Sequence, residues 1–501
     1  MELVPWDEHN RSLVECIRPA GWQNSVPSGR YNLVAIGGGT AGLVAAIGAA
    51  SLGGRAALVE RHLLGGDCLN YGCVPSKALL RCARACHDAR QAHLYGCRPL
   101  QAEADFSRIM ERMRRLRAGI ARHDAAERLR ALGVDVYFGV GRFCGPRALE
   151  VDGQRLEFHR AVIATGSRPL IPPVAGLEEA GYLTNETVFS LERLPSSLIV
   201  LGGGPIGCEL GQAFRRFGCE VHVVSRGERL LRREEPEASA LVEAQFAREG
   251  IHLHLGWQPV RAERMGSARS LTIEREGSRQ KLVAEALLVA VGRKANVEGL
   301  QCERAGVAYD ERGVRVNQRL QTTNPAIYAA GDVCSEHKFT HAADAMARVC
   351  LENALFFLRR RATALVIPHC TYTDPEVAQV GLTAALAQQQ GIRIDTFYET
   401  LDRVDRAYLD GETEGLAMLH VRRGSDRIVG ATLVARHAGE MIGEICLALS
   451  RRLGLKILSR VIRCYPTQAE VWKRLCDQYQ RTRLTPLAAL LASRWLAWLR
   501  R

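Results

Sequence analysis

The sequence predicts an α/β protein built from two copies of one strand–turn–helix unit, and three observations carry that prediction. A glycine-rich turn follows an apolar stretch beginning at Tyr31, and the same arrangement returns at Ser197. The chain of 501 residues has room for about three domains at ~100–200 residues each. A further domain therefore has to follow the second copy.

The first unit runs from Tyr31 to Glu60. Leu33–Ile36 is a short apolar run of the kind that forms a strand buried in a parallel sheet. Gly37, Gly39 and Gly42 then fall in G-x-G-x-x-G spacing, followed by an alanine-rich helical stretch and a second strand, Arg55–Glu60. The first glycine makes the tight turn, the second lets backbone approach a pyrophosphate, and the third lets helix pack on strand. The helix N-terminus then faces the phosphates, and Glu60 is placed to accept the ribose hydroxyls. The fingerprint alone is weak; strand before, helix after and acid on the second strand make it specific.

In the second unit, Ser197–Arg226, Gly202, Gly204 and Gly207 repeat the spacing after another apolar strand. This copy departs where the first has its acid: the strand VHVV is followed by Ser225 and Arg226. A carboxylate there would bind the ribose diol of NADH and repel a 2′-phosphate, whereas an arginine pairs with that phosphate. The expectation is NADPH ahead of NADH, the alternative being an Arg226 that only faces solvent. Two units call for two dinucleotides, one a tightly held flavin and the other a mobile nicotinamide.

Between the units, Gly65–Leu80 reads GGDCLNYGCVPSKALL. Cys68 and Cys73 are expected at the start of a helix, where the sulfurs can close a small loop as a disulfide and where the helix N-terminus lowers a thiolate's pKa. Pro75 is tolerated only in the first turn of such a helix. No second ligand pair of matching spacing follows, which argues against zinc.

Composition narrows the function classes. The net charge of +13 suits nucleic acid or an anionic membrane, yet no nucleic-acid recognition motif appears, and arginine-rich composition is the simpler account. Met1–Asn10 is charged and polar, unlike a signal peptide, and no run of about 18 apolar residues exists. Sixteen cysteines, most of them scattered singly, read as small buried side chains in a reducing, cytoplasmic protein.

The Cys68–Cys73 segment resembles the pyridine nucleotide–disulfide oxidoreductases, which include dihydrolipoamide dehydrogenase, glutathione reductase and mercuric reductase. The resemblance covers nearly the whole chain. Ala164–Pro169 (ATGSRP), with Gly166, looks like the crossover out of the FAD domain, and Ala290–Asn296 (AVGRKAN), with Gly292, like the exit from the nicotinamide domain. Thr322–Cys334 resembles the second flavin segment, whose Asp332 would hold the ribityl chain. Thr371–Thr383 looks like the opening of a C-terminal dimerisation domain. The resemblance implies that Cys73 sits against the flavin as the charge-transfer thiolate, that Cys68 attacks the substrate, and that Lys77 lies near the isoalloxazine and pairs with Glu209. It further implies two Rossmann-like domains plus an α+β dimerisation domain. The boundaries would be an arm over residues 1–29, FAD domain over 30–171 and 299–364, NAD(P)H domain over 172–298, interface domain over 365–484 and an amphipathic tail over 485–501.

One position departs from the family's disulfide reductases. Those supply from the partner subunit a histidine and, five residues on, a glutamate as the acid–base pair for the thiols; here the positions hold Tyr465 and Glu470. A phenol titrates near 10 against about 6.5 for imidazole, so it shuttles protons poorly at neutral pH. His437 is a candidate substitute. Tyrosine here, with Ser225–Arg226, looks like the mercuric reductase branch, and thiolates suit soft metals. That branch also carries an N-terminal Cys-x-x-Cys and a C-terminal cysteine pair. This chain has only Cys16 early, and its last cysteine is Cys476, with Cys464 expected to be packed.

The expected function is therefore electron transfer from NADPH through FAD and the Cys68–Cys73 disulfide to a small-molecule or metal-ion acceptor, Hg(II) among them. The enzyme would be a homodimer sharing its site across the interface. The rivals are a dihydrolipoamide dehydrogenase-like disulfide reductase, an NADPH–quinone reductase at a membrane surface, and a flavin-binding redox sensor. Asp105–Leu132 reads as an amphipathic helix with a solvated arginine face, Phe106, Ile109, Met113, Leu116 and Ile120 forming the apolar one. Thr485–Arg501 is too short to span a bilayer and suits either a membrane interface or packing on the dimer.

Overall fold

In the computed structural model, which describes residues 3–98, 103–356 and 358–500, the chain divides into two units. Residues up to Glu228 and Ala247–Leu365 make the first; Arg229–Phe246 and the chain from Val366 onward make the second.

The first unit opens with α1 (Glu8–Ile17), β1 (Tyr31–Ile36), α2 (Thr40–Ser51), β2 (Ala56–Glu60), α3 (Gly66–Asn70), α4 (Cys73–Gln91), α5 (Phe106–Ala121), β3 (Val134–Phe138) and β4 (Gln154–Ile163). The order β3-β2-β1-β4 is parallel, with Leu33 opposite Ala56 and Ala35 opposite Val162. These strands are apolar on both faces because helices cover one side and further sheet elements the other. The alanines of α2 (Ala41, Ala45, Ala46, Ala49) are buried and let the helix lie close to β1. The second copy follows as β5 (Ser197–Leu201), α6 (Pro205–Phe217), β6 (Glu220–Ser225), β7 (His252–Leu255) and β8 (Ala286–Val289), parallel in the order β7-β6-β5-β8. Pro205 occupies the first turn of α6, where its missing N–H costs nothing, and Gly218 ends it at φ +114°. The chain then returns to the first sheet through β9 (Ile327–Ala329), parallel to β4, and α7 (Thr340–Phe356), packed on α2.

The N-terminal segment differs from a plain arm. Asp7 caps α1 by accepting the Asn10 N–H at 2.9 Å, and Leu13 and Ile17 are fully buried. The single helix expected over 105–132 is also corrected. α5 ends at Ala121, a tight turn follows, and a short helix covers Ala126–Ala131. Its first turns are as the periodicity predicts, with Phe106 and Met113 buried, but further on Leu116 and Ile120 are exposed, whereas Arg114 and Arg117 are 8% and 2% exposed. The cause is α1. Arg114 Nε lies 2.5 Å from Asp7 Oδ2; Arg117 donates to Asn10 Oδ1 at 2.6 Å and to the Asn70 carbonyl at 2.8 Å. A guanidinium is buried when such partners meet it.

The second unit holds β10 (His369–Thr371), β11 (Glu376–Gly381), β12 (Ile394–Thr400), β13 (Leu416–Arg422) and β14 (Ile428–Ala435), all antiparallel in the order β10-β11-β14-β13-β12. α8 (Val471–Thr482) buries Trp472, Leu475 and Cys476 in the core of this unit. Arg229–Phe246 belongs here because buried Glu235 lies 2.9 Å from His420 Nε2 and accepts the Ala384 N–H at 2.7 Å. The last helix, α9 (Pro486–Trp498), buries none of its side chains, and Arg501, the last residue of the predicted tail, lies outside the described residues, as do Met1 and Glu2 of the arm. Among the described residues no helix is long and apolar enough to cross a membrane.

Candidate functional site

Cys68 and Cys73 do not share a helix. Cys68 sits within α3, and Cys73 is the first residue of α4, the chain turning between them through Tyr71 and Gly72. The turn brings the two side chains into hydrogen-bond contact as free thiols, the reduced form of the pair. The hydrogen bond from Cys68, opposed by burial, then the Thr340 hydroxyl and the Lys77 charge lower the Cys73 thiol to about 6. The same contact, with burial, raises Cys68. The pair is therefore asymmetric: at neutral pH Cys73 carries the thiolate and Cys68 the proton. The N-terminus of α4 adds its partial positive charge on the Cys73 side.

Two neighbours complete this environment. Thr340 Oγ1, at the start of α7, lies 3.4 Å from Cys73 Sγ. Lys77, one turn along α4, places its Nζ 2.7 Å from Oε2 of Glu209, which is buried on α6. The helix bearing the thiolate is thus tied to the helix that opens the second dinucleotide unit. A polar chain runs beside it. Asp67 Oδ1 lies 3.0 Å from Arg293 Nη2 and accepts from Asn185 at 3.1 Å. Arg293 Nε donates to Ser167 Oγ at 2.7 Å, and Ser167 donates to Asp332 Oδ2 at 2.6 Å. Asp332 is thereby joined to the segments holding Gly166 and Gly292.

The two fingerprints fit dinucleotides. A Cβ at Gly42 would stand 1.8 Å from the Gly37 carbonyl oxygen, and one at Gly207 would stand 2.0 Å from that of Gly202. These third glycines exist so that helix can press on turn. Gly204 differs: nothing lies within 4 Å of where its Cβ would be, and the same holds for Gly166. Open space before the N-terminus of α6, with Gly204 as its N-cap, leaves room for a pyrophosphate. Gly39 caps α2 in the same way. Glu60, buried at the end of β2, accepts the N–H groups of Gly38 and His62, each at 2.6 Å, and each carboxylate oxygen keeps a lone pair for a ribose hydroxyl. At the matching place on β6, Ser225 is buried and Arg226 exposed. The residues fit FAD at the first fingerprint and a nicotinamide dinucleotide at the second.

These features coincide with known sequence families. The pyridine nucleotide-disulphide oxidoreductase model matches residues 31–347, and the dimerisation-domain model of the same family matches residues 367–476. The chain belongs to the pyridine nucleotide–disulfide oxidoreductases. Its relatives include a mercuric reductase from Staphylococcus aureus, 35% identical over 89% of this chain and 83% of that one. A dihydrolipoyl dehydrogenase from Bacillus subtilis is 32% identical over 83% and 91%. Among solved structures, the HOCl-induced flavoprotein disulfide reductase RclA from Escherichia coli matches at TM-score 0.79 and 27% identity, covering 89% of this chain and 99% of that one. The protein is thus an α/β flavoprotein oxidoreductase that uses FAD and a nicotinamide nucleotide and carries a dimerisation domain. Relatives with different substrates stand at nearly equal identity, so likeness gives the chemistry and leaves the acceptor open.

The acid–base positions lie in the second unit. Tyr465 is 71% exposed and donates to Asp405 Oδ2 at 2.9 Å, and Asp405 raises its pKa further from neutrality. Arg474 links Asp405, at 3.1 Å, to Glu470, at 3.4 Å. His437 is exposed at the start of a one-turn helix. Cys464 is exposed, contrary to the packing expected of it, because it lies in the irregular stretch before Tyr465; Cys476 is fully buried. Thr340 and Asn185 have no sequence signal of their own, and Asp67 stands beside Cys68 inside the quoted motif without a role assigned to it. Ser167 and Arg293 lie inside the segments that resembled family motifs, and only the fold gives them partners.

Proposed function

We propose that this chain is an NADPH-dependent flavoenzyme that reduces a soft metal ion, Hg(II) in the first instance, through Cys68 and Cys73, as a homodimer in a reducing cytoplasm. One observation carries the reading: the thiol pair is strongly asymmetric, while the position that serves disulfide reductases as acid–base holds a phenol whose pKa Asp405 pushes away from neutrality. Disulfide exchange needs a proton delivered to the departing thiolate. A soft cation needs none, since it displaces the remaining thiol proton and is held by both sulfurs.

Gly37, Gly39, Gly42, Glu60, Gly166 and Asp332 would hold FAD; Gly202, Gly204, Gly207, Arg226 and Gly292 would hold NADPH. FAD, when bound, passes an electron pair from the nicotinamide to the sulfur pair. Lys77, fixed by Glu209, and Thr340 hold Cys73 as thiolate, and Cys68 carries the proton that an incoming cation displaces. A further electron pair from NADPH discharges the cation, which leaves as neutral metal. RclA, also solved as a Cu(II) complex, supports a metal ion as a partner of this scaffold. Tyr465 and Glu470 would reach the pair from the partner subunit.

The test is NADPH oxidation by the flavin-loaded enzyme with an Hg(II)–dithiolate complex, oxidised lipoamide or a soluble quinone. Hg(II) turnover should vanish in Cys68→Ala and Cys73→Ala, and lipoamide should run about 10²-fold slower than Hg(II), the scale of a missing acid–base group. Lipoamide turnover faster than Hg(II) turnover would assign a disulfide reductase instead. Arg226→Glu should raise the KM for NADPH about 10-fold or more and leave NADH little changed; equal effects on both would remove the NADPH preference.

One observation favours quinone reduction at a membrane as a second reading: the large apolar side chains of α9, Leu487, Leu490, Leu491, Trp495 and Trp498 among them, are exposed. Deleting residues after Thr485 should then abolish binding to anionic vesicles, and binding that survives the deletion would discard it.

A further inference from the structure

Four chemistry-bearing side chains that the redox reading does not use meet on one face of the second parallel sheet. Glu220 and His222 are two apart on β6, and His252 and His254 two apart on β7, so strand alternation turns each pair to one face. The register sets His222 directly opposite His252. The His222 and His252 rings stack at 4.6 Å between centroids, and His222 and His254 at 5.4 Å. Glu220 Oε1 lies 3.4 Å from His222 Nε2 and 3.8 Å from His252 Nε2. The three ligand atoms all fall within 4.8 Å of one another, and among the described residues no other group of three such side chains does so. On its other side His222 Nδ1 is held 3.1 Å from His254 Nε2. Glu220 and His252 are exposed and His222 half-buried.

We propose that Glu220, His222 and His252 form a binding site for one borderline divalent transition-metal ion of the Zn(II) class, with His254 as the residue that orients His222. Metal–nitrogen and metal–oxygen bonds of ~2.0–2.2 Å in a tetrahedral shell put ligand atoms about 3.3 Å apart. Two of the contacts are already near that value, and the exposed His252 ring closes the third by a small rotation. Two imidazoles and one carboxylate with a fourth position open to solvent match the donor preference of zinc rather than of calcium or magnesium. A ligating imidazole is ordinarily fixed through its second nitrogen, and His254 does this for His222. The nucleotide fingerprint lies at the other, C-terminal ends of these strands, which separates the site from the electron path.

The experiment is calorimetric titration of the flavin-loaded enzyme, its active-site pair oxidised, with ZnCl2, followed by X-ray absorption of the loaded protein. Wild-type should bind one equivalent that Glu220→Gln and His252→Asn do not, and its zinc shell should show two imidazoles and no sulfur. His254→Phe should weaken that equivalent about 10–100-fold. Both exposed-site variants should retain wild-type NADPH oxidation, which shows that they are folded. Equal stoichiometry and affinity in wild-type and variants, or a zinc shell made of sulfur, would overturn the site.

Discussion

Cys73 and Tyr465 show how far a single residue's surroundings decide its chemistry. The Cys73 thiol is held at about 6, so its thiolate grows in as pH rises through that value. Iodoacetamide alkylation of the reduced enzyme should show a phase that rises with a midpoint near pH 6 and is absent from Cys73→Ser. Thr340→Val and Lys77→Met should each move the midpoint upward, because each removes a group that favours the thiolate. A midpoint near 8.5, where an ordinary thiol titrates, would contradict the account. At Tyr465 the argument runs the other way. Tyr465→His supplies a group that titrates near neutrality, and lipoamide exchange should rise about 10-fold or more in that variant; no gain would show that this position does not limit exchange. Residues that recur in a local motif were legible in the sequence. Thr340 was not, since it stands 267 residues from Cys73 and only the approach of α7 brings it there.

At the scale of elements, the glycines separate packing from binding. Gly42→Ala has to fit a methyl 1.8 Å from the Gly37 oxygen, so the variant should lose FAD and much of its stability. Gly204→Ala meets nothing, so it should melt like wild-type yet bind NADPH about 10-fold or more weakly, the methyl occupying the room left for the pyrophosphate. Thermal melting beside NADPH titration distinguishes the two. The strands and helices of both fingerprints could be read from sequence because each is set by a short local pattern. α5 could not. Its periodicity gave an apolar face, but α1 supplies Asp7 and Asn10 to Arg114 and Arg117 from about a hundred residues away and buries them instead. Arg117→Met, which leaves the Asn10 side chain and the Asn70 carbonyl without that donor, should cost about 3 kcal/mol of unfolding free energy in urea; a change below about 0.5 kcal/mol would mean that α1 does not depend on it.

For the molecule as a whole, the plan legible from sequence was two parallel-sheet units and one antiparallel unit, since the first two announce themselves by fingerprints and the third by likeness to a family. The allegiance of Arg229–Phe246 to the antiparallel unit was not legible, because it rests on the buried contact of Glu235 with His420. The acceptor was also beyond the fold, for the same framework serves relatives of different substrates. The path proposed through Cys68 and Cys73 is the central claim, and counting thiols tests it most directly. The oxidised enzyme, unfolded under argon, should present fourteen of its sixteen cysteines to a thiol reagent, and after anaerobic NADPH all sixteen. NADPH that bleaches the flavin while the count stays at fourteen would show that electrons bypass Cys68 and Cys73, and a count of sixteen before NADPH would show that the pair is not held as a disulfide.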